Sequence, residues 1–136
     1  MRRYVLLSVI ALSLAACASS PPKQARSEFD DIPVPTGLTL DWDKSTVIES
    51  PSLKAARLVY KGRVEPGSLG VVYRTTLEAN GWHHLASTTN SEKNITQVYE
   101  KPGNSLHVLI YEGFYYTWVE VSATRLVTPT TTSQVR

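Results

Sequence analysis

One cysteine, Cys17, stands in 136 residues, so an intrachain disulfide and a multi-thiolate metal site are excluded by count. Histidines number three. His83 and His84 are adjacent and point to opposite faces of a strand, so only one of them could join His107. Zinc would need a third converging ligand, and the sequence signals none. There is no G-x-S-x-G elbow for a nucleophile, and the seven glycines sit scattered at turns, not gathered in a phosphate loop. Asp41-x-Asp43 and Asp30-Asp31 are carboxylate pairs that acid–base work could use. Nothing around them would bury them, and they read as solvated turn charges. No Lys/Arg cluster is present, which removes the electrostatic footprint of a nucleic-acid binder and of a polybasic lipid patch. These absences predict no cofactor, no metal and no catalytic residue.

What the chain does carry begins at its start. Arg2 and Arg3 form a positive n-region, residues 4–14 an apolar stretch too short to span a bilayer, and Leu14-Ala15-Ala16-Cys17 a small-residue cleavage site. This is the pattern of an export signal that is not part of the fold. The small-small-Cys ending resembles the lipobox of bacterial lipoproteins. The resemblance implies a diacylglyceryl thioether on Cys17, cleavage just before it, and a palmitate-type acyl chain on the new amino terminus. An ordinary secretory signal is the competing reading. Two or more chains hold a protein stably where a single myristoyl group does not. No later run approaches the ~18 apolar residues of a spanning helix. Ala18 after the cysteine, in place of aspartate, favours the outer membrane by the sorting rule of such lipoproteins, with the domain facing the periplasm. The formal charge of +2 falls to zero once Arg2 and Arg3 leave.

The chain then divides into residues 1–16 as signal peptide, 17–29 as lipidated cysteine and flexible linker, 30–127 as one domain, and 128–136 as a frayed tail. The linker is Ser, Pro, Lys, Gln and Arg with little to bury. Ile32-Pro33-Val34-Pro35-Thr36-Gly37 must be extended. Short strand patterns follow at 38–42 and 45–49. From Ala56 the residues alternate, with Leu58 and Tyr60 on one face, as in a half-buried strand. Ser68 is placed to cap a helix over 69–80, whose apolar stripe is Leu69, Val72, Tyr73 and Leu77. Gly81 suits its C′ position, and Trp82 is expected to pack under the helix end. Strands at 83–88, 95–101, 106–111 and 115–124 complete an α+β domain. The expected order is β-α-β-β-β-β, an antiparallel sheet of about five strands with the helix across one face, a two-layer sandwich.

In order, Pro33-Val34-Pro35-Thr36-Gly37, Tyr60-Lys61-Gly62, the helix, Gly81-Trp82 and Tyr99-Glu100-Lys101 resemble a group of small, uncharacterised bacterial envelope lipoproteins. That group implies a fold and a compartment but no chemistry. Aromatic density near the C-terminus is the feature that exceeds a structural need: Tyr111, Phe114, Tyr115, Tyr116 and Trp118. If Val119 and Val121 point under the helix, Phe114, Tyr116 and Trp118 share the outer sheet face. They are then the candidate partner-binding residues, unless residues 32–42 cover that face within the monomer. The function expected is a lipid-anchored periplasmic adaptor docking on an envelope protein or on its own copy, through the sheet face or an open edge strand. Its alternative is a binder of a lipid or cell-wall fragment in a cleft beneath Leu69, Val72 and Tyr73. A hydrolase using Asp41, Asp43 or a histidine is a third reading.

Overall fold

The computed structural model describes Phe29 and residues 31–127. The signal segment, Cys17, Asp30, nearly all of the linker and the tail lie outside the described residues. The elements are β1 (Leu38–Leu40), a short 3-10 turn (Trp42–Lys44), β2 (Thr46–Glu49), β3 (Leu53–Gly62), α1 (Pro66–Ala79), β4 (His83–Thr89), β5 (Ile95–Lys101), β6 (Asn104–Glu112) and β7 (Thr117–Leu126). Every pairing is antiparallel, in the order β1-β3-β7-β6-β5-β4, with β2 also on β3. The fold is α+β, one helix on one face of an antiparallel sheet. No helix among the described residues is long and apolar enough to cross a membrane.

Among the described residues seven strands stand where about five were expected, and three of them precede the helix. The reason is local. β1 meets β3 at Leu40↔Tyr60 and β2 meets it at Thr46↔Arg57, so both lie along one edge of one strand. The 3-10 turn steps out between them. Across the step, Asp41 N–H donates to the Val59 carbonyl at 2.8 Å, and Val59 N–H donates to Ser45 Oγ at 3.0 Å. The edge thus stays hydrogen-bonded while the strand is cut in two.

Alternation sets the inner face. Leu58, Val121 and Val108 share one row and Tyr60, Val119 and Ile110 the next, all buried. Helix α1 starts earlier than its Ser68 cap would have it. Glu65 is the N-cap, its carboxylate accepting from the Gly67 and Ser68 N–H groups at 2.7 and 2.5 Å. Pro66 fits the first turn, where its missing N–H costs nothing. Gly81 adopts φ +81°, and Trp82 N–H returns to the Leu77 carbonyl at 3.0 Å; Trp82 is buried beneath the helix end. Leu69, Tyr73 and Leu77 point inward at helical spacing. Val72 is exposed and Gly70 is buried in its stead. Gln97, buried in β5, pegs the layers together: its amide donates to the Gly70 carbonyl at 3.0 Å and accepts from Tyr99 Oη at 2.8 Å.

The inner face has a second cover. Phe29, placed in the linker by composition, is buried with Ile32 in the same core as Trp82 and Tyr99. Between them Asp31 pairs with Lys101 at 3.2 Å and Arg125 at 2.8 Å. Ile32 therefore lies on the helix side and does not shield the outer face. Burial pushes the Asp31 carboxyl upward, but the hydrogen bonds and charges of Lys101 and Arg125 outweigh it, leaving the pKa below the usual 3.8. A carboxyl lowered on folding stabilises above its unfolded pKa and loses that contribution as pH falls through the folded value. Asp31→Asn is accordingly expected to be less stable than the parent at pH 7, with the gap closing below about pH 4. Urea titrations at pH 7, 5 and 3 check this. A gap that stayed constant across the series would contradict the ion pairing.

Candidate functional site

The outer sheet face is a closed polar lattice around one tryptophan. Lys61, Trp118 and Tyr111 stand side by side on β3, β7 and β6. Lys44, carried over by the 3-10 turn, places Nζ 3.6 Å from the Trp118 ring centroid, and Lys61 Nζ lies 5.7 Å from it. Both are cation–π contacts. Lys61 also bonds Asp41 at 3.0 Å; that hydrogen bond is the main reason the Asp41 carboxyl lies below its usual value. Glu120 accepts from Arg57 at 2.6 Å and from Tyr111 Oη at 3.1 Å. Lys61, Asp41, Arg57, Glu120 and Tyr111 thus find their partners around Trp118 within the domain. Trp118 is half-buried under Lys44, not a free docking ring.

Phe114 and Tyr116 do not share a strand face with Trp118. β6 and β7 pair as far as Glu112↔Thr117, and residues 113–116 form the hairpin turn, closed by Gly113 N–H to the Tyr116 carbonyl at 2.8 Å. The alternating Phe114-Tyr115-Tyr116 run therefore falls in a loop, and alternation there has no sheet to act on. Its consequence is exposure. Phe114 is 92% exposed, Tyr115 71% and Tyr116 39%. Phe114 and Tyr115 meet edge to face at 4.6 Å, a favoured aromatic geometry.

The base of this hairpin is braced on three sides. Thr117, buried, donates its hydroxyl to the Val64 carbonyl at 2.6 Å, tying the base to the turn before α1. Arg63 lies 5.7 Å over the Tyr116 ring. Gly113 sits against the Trp118 indole so closely that an added Cβ would stand 2.8 Å from Nε1. Trp118 thus supports the turn where it was expected to make contacts of its own. Beneath the tip runs a shallow groove of about 340 Å³ whose walls include Arg63, Glu65, Glu112 and Tyr116. Tyr115 and Arg63 were missed as site residues. Glu112-Gly113 reads as a turn in the sequence, but the strand expected from Tyr115 begins only at Thr117.

The remaining candidates do not come together. His84 packs on Tyr99 at 5.3 Å and bonds Ser87 at 2.7 Å on the inner side. His107 lies on the opposite face, beside Ser122. Asp41 is bound to Lys61, and Asp31 to Lys101 and Arg125. Among the described residues no three His, Cys, Asp or Glu side chains converge as a metal site would require. Leu69 and Tyr73 are packed shut against the sheet, in the space where a ligand cleft was considered.

What this arrangement can do is bind by burial. Fully covering a side chain such as Phe114 is worth roughly 1.5–3 kcal/mol, and aromatics held on a braced hairpin lose little entropy on docking. No protein-family model, curated protein or solved structure matches the chain.

Proposed function

We propose that this chain is a lipid-anchored adaptor of the bacterial envelope, tethered through Cys17 to the outer membrane and facing the periplasm. It docks on a protein partner through Phe114 and Tyr115, with Tyr116 at the margin and Trp118 as the brace behind them. The observation that carries the reading is the exposure of Phe114 and Tyr115 on a hairpin whose base is hydrogen-bonded to the turn before α1. Neither ring contributes to the core, so folding does not account for them. A central aromatic anchor with near-neutral surroundings is how most interfaces concentrate their energy. The lipid confines the domain to a surface, and the tip supplies specificity.

A photocrosslinking side chain placed at Tyr115 in the native envelope tests this, with the same probe at the exposed turn residue Lys93 as control. A discrete adduct from Tyr115 alone is expected. A folded, membrane-bound chain that yields no adduct from Tyr115 would remove the tip from consideration as a contact.

A further inference from the structure

The two edges of the sheet are built differently. Against β3 the edge is cut into β1 and β2, three and four residues long, with Asp43, Lys44 and Glu49 along it. Short strands, interruption and charge are devices that keep an edge from pairing. The other edge is β4, seven residues reading HHLASTT, without acid, lysine, arginine or proline. Among the described residues it pairs with β5 alone. A bulge at Leu85 shifts its register once, and the ladder from Ala86 to Thr89 is regular and exposed. Serine and threonine here favour extended backbone or tolerate it, and the outward N–H and C=O groups of an edge strand are a template for another strand.

We infer that β4 is a self-association edge, on which a second copy of this chain pairs its own β4 antiparallel and joins two sheets into one. Residues that face each other across such a pair point to the same side of the sheet. Twofold symmetry then makes one residue of β4 face itself. Centred on Ser87, the pairing sets Ala86 against the partner's Thr88 and the exposed Leu85 against the partner's Thr89. No like charges meet, and pairs of this kind stabilise sheets modestly. A strand without charge has nothing with which to select a charged partner, and it complements itself. About five residues a side fall short of the ~800 Å² per partner of a stable interface. The dimer is therefore weak in free solution and forms where copies are concentrated on one surface, a condition that rests on the lipid anchor proposed above.

Single-cysteine crosslinking of the full chain in its native envelope tests the pairing. Ser87→Cys is treated with a short bismaleimide, the unsubstituted chain serving as background for Cys17. A product of twice the chain's mass is expected, weaker from Ala86→Cys and Thr88→Cys and absent from Ser105→Cys on β6. Adding Thr88→Lys to Ser87→Cys brings like charges together across the axis and is expected to cut the yield at least tenfold with the melting curve unchanged. Adding Phe114→Ala is expected to leave the yield intact, which separates this edge from the hairpin tip. Absence of the doubled product at all three β4 positions overturns the inference. So does an equal yield from Ser105→Cys, or an adduct of some other mass.

Discussion

Exported behind an ordinary cleavable signal and without Cys17, the chain moves from the membrane fraction to the soluble periplasm, and the shift is expected to be complete. The magnitude follows from what else could hold it. The chain from Cys17 onward has no net charge, so no electrostatic attraction to anionic lipid remains. Among the described residues no helix can cross a bilayer. The exposed tip offers a few kcal/mol at most, comparable to one short acyl chain, which binds only marginally. With Cys17 intact, the protein should stay with membranes through high salt and leave only in detergent. Its mature N-terminus should carry diacylglyceryl and acyl mass, labelled by supplied palmitate. A chain that kept its membrane association without Cys17, or a native chain found unlabelled, would refute the anchor.

The second large effect lies under the helix. Tyr73 is fully buried between Leu69 and Leu77 and packs α1 onto the sheet. Tyr73→Ala removes a ring that the surroundings cannot replace and is expected to cost about 3–5 kcal/mol. Against a typical 5–15 kcal/mol for a domain, the variant is marginal or unfolded. Tyr73→Phe behaves in the opposite sense. Its hydroxyl is buried with no hydrogen-bond partner among the described residues, and burial holds the phenol far above its usual pKa. A buried, unpaired hydroxyl is a cost. Removing it should leave stability unchanged or raise it by about 1 kcal/mol, a melting shift of roughly 4–8 °C. Urea midpoints with constant m-values separate the two variants. Loss of stability in Tyr73→Phe would mean the hydroxyl is used, and the ligand-cleft reading would gain from it.

The layout of the fold was legible where a residue's face is set by its neighbours in sequence. Leu106, Val108 and Ile110 alternate, as do Val119, Val121 and Ala123, and the Leu69-Tyr73-Leu77 spacing places one helix across them. What was not legible depended on distant groups. Ser68 is a good cap by type, yet Glu65 caps the helix three residues earlier, accepting from the Gly67 and Ser68 N–H groups with Pro66 in the first turn. Phe29 sits among polar neighbours in sequence but is buried in the core, beside Asp31, which is held by Lys101 and Arg125, residues 70 and 94 positions away. The candidate site was legible in its residues but not in its geometry. Phe114, Tyr116 and Trp118 alternate as a strand would, but the inner-face register Ile110↔Val119 leaves residues 113–116 as loop. Register is a property of two strands together, and a turn's length follows from it.

The recruitment proposed above requires both that the anchor bring the domain to a surface and that the hairpin tip make the contact. A photocrosslinker at Phe114, compared in the native envelope between the anchored chain and the same chain secreted without Cys17, tests both halves at once. One discrete adduct with another envelope protein is expected, reduced on the order of a hundredfold when the anchor is absent, as loss of surface confinement would give. Equal adduct from the unanchored chain, or none from the anchored one, would contradict it.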